Sequence, residues 1–276
     1  MTQQESPVEN EAREFDKMKI DIIKNEDKVL KFSVEGSTPA FANAIRRTSM
    51  NHVPILAIED VAIHKNGSAL FDEMLAQRLG QVPLKFDPDK YNLKEECDCE
   101  EGCAECQVKF TLQKEGPGKV YSGDLVCESA AVEPVYDGIP ITELNEGQEV
   151  ELEATAIVST GKDHSKHQAA VTSYQYYPKI TIDQDNVDDA ETCVEICPAN
   201  VFTAKNGKLK IDELENCTLC KECVENCKDG AIGVEGDDKK FILSLESISG
   251  LTPKKILEIT TDILERKSNE VVEKLE

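Results

Sequence analysis

The cysteines are the feature that most constrains this chain, because ten of the eleven fall in two short segments, 97–106 and 193–227. A chain of 276 residues can bury a core without covalent staples. Its first residues lack the basic and apolar regions of a signal peptide, and no apolar run is long enough to span a membrane. We therefore expect a cytoplasmic protein without membrane contact, in which grouped cysteines bind metal ions rather than form disulfides.

The first group lies in the segment CDCEEGCAEC and consists of Cys97, Cys99, Cys103 and Cys106. Four thiolates that converge on one point satisfy tetrahedral zinc, which stabilises structure without redox activity. We predict one structural zinc ion here, and such a site contributes on the order of 10 kcal/mol to the folding of its loop. The alternative is a surface loop with free thiols.

The second group begins with the segment ENCTLCKECVENCKDG, in which Cys217, Cys220, Cys223 and Cys227 have the spacing C-x2-C-x2-C-x3-C. This spacing is typical of bacterial-type iron-sulfur proteins. A two-cluster ferredoxin carries the run twice, each time followed by proline, and the fourth cysteine of each run ligates the cluster of the other run. Here Lys228 stands where the proline is expected.

The upstream run, in VDDAETCVEICP, is incomplete. It keeps Cys193, Cys197 and Pro198, but Val187 and Ala190 stand where its first two ligands belong. One site therefore has four ligands and the other has only two, too few for a cubane. We predict one cluster, 4Fe-4S or 3Fe-4S, with a second zinc site as the alternative.

Six cysteines thus divide into a complete site and a leftover pair. The predicted cluster ligands are Cys197, Cys217, Cys220 and Cys223. The leftover pair, Cys193 and Cys227, is predicted to lie close together as free thiols or as a disulfide.

Charge and motifs bear on the class of function. The net charge of −23 argues against nucleic acid as the main direct contact. No glycine-rich nucleotide loop follows a strand, and His164 and His167 lie in a polar segment where we expect them to be solvated. We find no catalytic residues. An electron carrier of the ferredoxin type, or a redox-enzyme subunit, remains the alternative function.

The two ends of the chain have similar patterns. Alternation predicts strands at 18–24 and 29–34, followed by a helix that begins at Thr38 and Pro39. Near the other end a strand precedes a helix capped by Thr252. On that helix one apolar stripe contains Ile256, Ile259 and Ile263.

Several segments resemble the α-like subunits of multisubunit RNA polymerases, a family with bacterial, archaeal and eukaryotic members. The main segment, residues 41–84, is FANAIRRTSMNHVPILAIEDVAIHKNGSALFDEMLAQRLGQVPL, and TGKDHSKHQAAV at 160–171 is similar to a further family block. The zinc segment is similar to that of the eukaryotic member, the third-largest subunit of RNA polymerase II. The ferredoxin-like insert is characteristic of the archaeal member.

The resemblance implies an α+β fold in which a discontinuous dimerisation domain of strands and long helices carries two inserts. One insert is mostly β and the other is a ferredoxin-like iron-sulfur domain. The expected parts are an acidic disordered tail at 1–15, the dimerisation domain at 16–53 and 239–276, the β domain at 54–182 with its zinc loop at 97–106, and the iron-sulfur domain at 183–238.

The family also implies a function, that of a non-catalytic assembly platform within a DNA-dependent RNA polymerase. The implied partners are the small α-like subunit L, the small subunits N and P, and the large catalytic subunits. We expect the apolar faces of the first and last helices to be exposed in the isolated chain and covered by partner helices. The expected interface residues are Phe41, Ile45, Ile256, Ile259 and Ile263.

Overall fold

The structure is a computed structural model that describes residues 18–99 and 102–275. The predicted tail at 1–15 and two residues of the zinc loop lie outside this part. The chain forms two compact units. Among the described residues, unit 1 comprises 18–25, Leu30–Ala44 and Ser173–Ser244, and unit 2 comprises Glu26–Val29, the described part of Ile45–Thr172, and 245–275. The predicted domain boundaries do not coincide with the boundaries of these two units. The predicted boundaries stay a prediction.

The described residues form both strands and helices, so the predicted α+β class is confirmed. The strands are β1 (Lys19–Asn25), β2 (Val29–Glu35), β3 (Ile55–Asn66), β4 (Leu84–Lys85), β5 (Gln107–Glu115), β6 (Gly118–Tyr121), β7 (Val126–Cys127), β8 (Glu133–Pro134), β9 (Pro140–Leu144), β10 (Glu149–Ser159), β11 (Ala170–Ile182), β12 (Phe202–Lys205), β13 (Lys208–Ile211) and β14 (Ile232–Ser247). The helices are α1 (Pro39–Asn51), α2 (Asp72–Gly80), α3 (Ala190–Ile196), α4 (Glu222–Asn226) and α5 (Pro253–Glu273).

Most of unit 1 is a four-stranded sheet, in the order β1-β2-β14-β11, together with the segment that carries the second cysteine group. The strands predicted at 18–24 and 29–34 are confirmed as the antiparallel pair β1 and β2. The cysteine segment adds α3, α4 and the hairpin of β12 and β13. It has an apolar cluster of its own, which includes Val201, Phe202 and Leu209.

Unit 2 is organised around the sheet β3-β10-β5-β7. The central strand β10 pairs antiparallel with β3 on one side and with β5 on the other. Its side chains alternate, so that Val150, Leu152 and Ala154 are buried while their neighbours are more exposed. Helix α2 contributes Leu75 and Leu79, both fully buried, to the same core.

The helix starts follow the predicted capping chemistry. The Thr38 hydroxyl accepts a hydrogen bond from the Phe41 N–H at 3.2 Å, and the Thr252 hydroxyl accepts one from the Lys255 N–H at 3.3 Å. Pro253 occupies the first turn of α5, where no backbone donor is needed. These local predictions are confirmed.

The expected exposure of the apolar stripe on α5 is wrong. Ile256 is fully buried, Ile263 is 7% exposed, and both belong to the core of unit 2. Ile259 is half-buried against the same core. On α1, Ile45 is buried and Phe41 is half-buried. The stripe was misinterpreted because unit 2 already supplies the apolar surface against which these isoleucines pack.

A second apolar row lies beside that stripe on α5, offset by one residue or about 100° around the helix. Leu257 and Leu264 are half-buried, whereas Val271 is 59% exposed and Leu275 is 82% exposed. Every residue from 265 to 275 is exposed. Despite the length of α5, no helix among the described residues is apolar enough to cross a membrane.

Candidate metal centres

The four thiols of the first group converge. The Sγ atoms of Cys97 and Cys103 lie 3.5 Å apart, those of Cys99 and Cys106 also 3.5 Å, and those of Cys103 and Cys106 3.9 Å. All four ligand atoms lie within 4.8 Å of one another. Zn–S bonds of about 2.3 Å in a tetrahedron place the sulfurs about 3.8 Å apart. The observed spacing therefore fits a tetrathiolate zinc site.

The backbone of a tight turn positions two of these ligands. The Cys103 carbonyl accepts hydrogen bonds from the N–H groups of Cys106 at 3.1 Å and Gln107 at 3.0 Å. The Cys103 N–H in turn donates to the Cys106 Sγ at 3.3 Å. Gly102 has a φ of 105°, and a Cβ there would overlap the Gln107 side chain. The chain then enters β5, which anchors the turn to the sheet of unit 2.

The electrostatics of this group suit a bound cation. Hydrogen bonding to the neighbouring Cys99 thiol raises the pKa of Cys97 to about 12, whereas the Glu105 backbone N–H lowers the pKa of Cys103. Four thiolates at this separation would repel one another. A divalent ion removes that repulsion, so the donor set suits zinc.

The four predicted cluster ligands line one pocket in unit 1. Cys197 follows the end of α3, Cys217 follows a short 3-10 turn, and Cys223 lies within α4. These three are 7–8% exposed, whereas Cys220 is exposed at the rim. Apolar side chains, including Val201, Phe202 and Val234, complete the wall. The fold thus brings the four thiols to one pocket.

The backbone around these thiols is tightly turned. Leu219 and Lys221 both have left-handed backbone conformations, with φ of 57° and 64°, which is uncommon for residues other than glycine. The Val201 N–H donates to the Cys197 Sγ at 3.4 Å. Burial, together with the neighbouring cysteine thiols, raises the pKa of Cys223 to about 11. Bound iron would favour the thiolate forms that burial alone disfavours.

The leftover cysteines also meet, outside that pocket. Burial raises the pKa of Cys227 to about 12, and a hydrogen bond with the Cys193 thiol adds to the effect. Both are free thiols in the structure. Val187 and Ala190, at the two missing ligand positions, belong to the same apolar cluster as this pair. Hydrocarbon therefore occupies the place where the other two ligands of a second cluster would lie.

One expectation about histidine is wrong. His164 is exposed as expected, but His167 is 1% exposed. Its Nδ1 lies 3.3 Å from the Ile55 carbonyl oxygen and its Nε2 lies 3.4 Å from the Glu59 carboxylate. Burial lowers the pKa of His167, and Lys166 contacts the same carboxylate at 2.5 Å. The contacts fasten the loop before β11 to β3, which is a structural role.

Comparison with protein families matches two parts of the chain. Residues 61–184 match the RNA polymerase Rpb3/RpoA insert domain, and residues 190–232 match a 4Fe-4S dicluster domain. The second match begins after Val187 and covers both leftover cysteines and all four predicted cluster ligands.

Several curated archaeal proteins are similar along almost the whole chain. A protein of Methanosphaera stadtmanae is 44% identical over 263 residues, which cover 92% of this chain and 97% of the relative. A protein of Methanothermobacter thermautotrophicus is 44% identical over 259 residues, covering 92% and 98%. One of Methanosarcina acetivorans is 36% identical over 260 residues, covering 92% and 97%. All three are named DNA-directed RNA polymerase subunit Rpo3.

Proposed function

The chain belongs to the Rpo3 family of DNA-directed RNA polymerase subunits, and we propose that it is the α-like subunit of an archaeal enzyme. In this role it is a platform on which the enzyme assembles, and the nucleotidyl-transfer chemistry belongs to other subunits. The proposed order of partners is the small α-like subunit L first, then the small subunits N and P and the large catalytic subunits. A free-standing electron carrier is not favoured, because polymerase subunits align along almost the whole chain.

The observation that carries the platform proposal is the second apolar row of α5. Leu257, Leu264 and Val271 recur every seven residues, and Thr261, Ser268 and Leu275 recur at the intermediate heptad position. A seven-residue apolar repeat, here with the small polar residues Thr261 and Ser268 at two of the intermediate positions, suits packing against another helix. We call these six residues the α5 seam. It replaces the stripe of Ile256, Ile259 and Ile263 as the proposed contact on this helix.

The occupant we propose for the α5 seam is an apolar helix of the small α-like subunit. The seam becomes more exposed toward its end, where Val271 and Leu275 have no cover from unit 2. The flanking positions carry charges, such as Glu270 and Glu273, that would remain at the rim of a helix pair. A polar rim around an apolar line is the usual anatomy of such an interface.

Aspartate at both Val271 and Leu275 should abolish binding of the small α-like subunit. Each apolar side chain buried at an interface contributes roughly 1.5–3 kcal/mol, so the pair corresponds to at least about a hundredfold in Kd. Both residues are exposed in the single chain, so its melting temperature should not change. Isothermal titration calorimetry with the purified small subunit measures the affinity.

The matched control replaces Glu270 and Glu273 with glutamine on the same exposed turns of α5. This variant should bind within about twofold of the parent, because rim charges contribute little. If the Val271→Asp, Leu275→Asp variant binds the small subunit with unchanged affinity, the α5 seam is not part of the interface.

The proposed cofactors are one structural zinc ion and one iron-sulfur cluster. The zinc ligands would be Cys97, Cys99, Cys103 and Cys106. The cluster ligands would be Cys197, Cys217, Cys220 and Cys223. The apolar packing of Val187 and Ala190 beside the leftover pair supports a single cluster. When bound, the cluster would cross-link α3, α4 and the turn between Cys217 and Cys223.

Restoring the two missing cysteine ligands tests the proposal of one iron-sulfur cluster per chain. Anaerobically purified protein should contain about one zinc and three or four iron atoms per chain, since two ligands do not hold a cubane. The double substitution Val187→Cys, Ala190→Cys completes the upstream run and should raise iron to about seven or eight per chain. Elemental analysis against protein concentration gives the ratio. Eight irons in the unaltered chain would contradict the single-cluster proposal.

A further inference from the structure

One stretch of unit 2, residues 84–96, runs beside the start of α5 and leads into the zinc ligands. We call it the approach segment. Its first residue, Leu84, lies so close to Gly250 that a Cβ at that glycine would overlap the Leu84 carbonyl oxygen. Farther along, the Lys255 Nζ lies 3.4 Å from the Asp89 carboxylate. At the far end, Arg266 lies 3.8 Å from Glu96.

The three contacts occur in the same order along the approach segment and along the chain from Gly250 into α5. Positions 84, 89 and 96 meet positions 250, 255 and 266 in the same order. From Lys255 to Arg266 the helix rises about 16 Å, or three turns. The approach segment therefore follows α5 over about half of its length.

Apolar contacts also fix the path of the approach segment. Tyr91 and Leu93 pack against the core of unit 2, the same core that contains Ile256 and against which Ile259 packs. The Tyr91 ring lies edge-on to Phe86, with centroids 6.3 Å apart. The approach segment and the first turns of α5 thus pack on the same core.

The zinc turn is tied directly to this segment. The Asn92 N–H donates to the Glu105 carbonyl at 2.8 Å, and Glu105 lies between the ligands Cys103 and Cys106. A 3-10 turn, Lys94–Glu96, then delivers the chain to Cys97. The two halves of the zinc site are therefore bridged by Asn92, which belongs to the same segment as the α5 contacts Asp89 and Glu96.

We propose that zinc binding and binding of the small α-like subunit are thermodynamically linked through the approach segment. Zinc would order the segment by joining Cys97 and Cys99 to the turn at Cys103 and Cys106. The ordered segment then fixes the first half of α5, which carries Leu257, Thr261 and Leu264 of the α5 seam, and thereby positions the exposed second half for the partner helix. A coupling of this kind is reciprocal, so partner binding must strengthen zinc binding by the same factor. The inference rests on the proposed function, since it concerns the regulation of the same interface.

The affinity of the small α-like subunit for zinc-loaded and zinc-free protein tests the linkage. Cys99→Ser supplies the zinc-free form, and Cys127→Ser, outside both groups, is the matched control. The Kd should rise between about 5-fold and 150-fold in Cys99→Ser, the range usual for coupled sites. The reciprocal effect is measured on the unaltered protein, by transferring its zinc to a chelator. The equilibrium constant of this transfer should be lower for the heterodimer than for the single chain, by the same factor.

A second variant changes the contact between the approach segment and α5 and leaves the four zinc cysteines intact. Asp89→Lys opposes Lys255 and should weaken partner binding about two- to fivefold with zinc content unchanged, as expected for an exposed ion pair. The charge swap Asp89→Lys, Lys255→Asp should restore the affinity. Glu151→Lys, which breaks the comparable pair with Lys65 on β3, should leave it unchanged.

The outcomes separate the two proposals. If zinc-loaded protein does not bind the small subunit, the proposed function is overturned and the linkage falls with it. If zinc-loaded and zinc-free proteins bind equally well, the linkage alone is overturned. If Cys99→Ser does not fold, the Asp89 variants provide the test. The linkage is then overturned if the charge swap Asp89→Lys, Lys255→Asp fails to restore the affinity that Asp89→Lys loses.

Discussion

Aspartate in place of Ile256 should unfold unit 2 rather than only release a partner. The side chain is fully buried in the core between α5 and the sheet. Truncating a buried isoleucine costs about 2–5 kcal/mol, and burying an unpaired charge adds several more. The total is comparable with the whole net stability of a domain, about 5–15 kcal/mol. We expect loss of the cooperative thermal transition of unit 2, measured by circular dichroism and calorimetry.

The control for this experiment lies two residues away. Glu258 is exposed on the same helix, and its contact with Lys254, at 3.9 Å, is an exposed ion pair. Glu258→Gln should change the free energy of unfolding by less than about 0.5 kcal/mol. A folded Ile256→Asp variant with an unchanged melting temperature would show that α5 does not pack on the core as described.

Serine in place of Cys217 should remove the iron-sulfur cluster and loosen the segment around it. The thiol is buried in the pocket, and the segment 190–234 has only a small apolar cluster besides. Small domains of this size depend on such a cross-link for stability. We expect loss of visible absorption and faster hydrogen exchange of amides throughout 190–234. The zinc content should stay at about one per chain, since its ligands lie in unit 2.

Cys127→Ser makes the same chemical change at a cysteine outside both groups, on the edge strand β7. Its visible absorption and exchange pattern should match those of the unaltered protein. Retention of full iron content by Cys217→Ser would contradict the assignment of this residue as a ligand.

The sequence was most informative where structure depends on neighbouring residues. Thr38 and Thr252 cap their helices because a hydroxyl beside a helix start satisfies local N–H groups whatever else the chain does. The cysteine spacing was equally informative, since a ligand turn is a local structure. All four ligand atoms of Cys97, Cys99, Cys103 and Cys106 converge within one stretch of ten residues, as the spacing predicts.

The sequence was least informative where the outcome depends on distant partners. Periodicity shows that Ile256 and Ile263 share a face, but it does not show whether this chain or another covers that face. His167 illustrates the same limit, because its buried environment comes from Ile55 and Glu59, more than a hundred residues away. The available signal was the pair of alanines that follows His167, Ala169 just before β11 and Ala170 at its start, both of which are buried.

The composition of the unit 2 core also has a consequence for biosynthesis. That core joins residues of 53–170 to Leu245, Leu251, Ile256 and Ile263, so its last apolar pieces emerge from the ribosome long after the first. At about 5–20 residues per second, the interval between the end of β10 at Ser159 and residue 245 lasts roughly 4–17 s. During that time the nascent sheet presents an uncovered apolar face, and loops this long are slow to close. Until α5 arrives, the growing polypeptide therefore exposes this face to association with other incompletely folded chains.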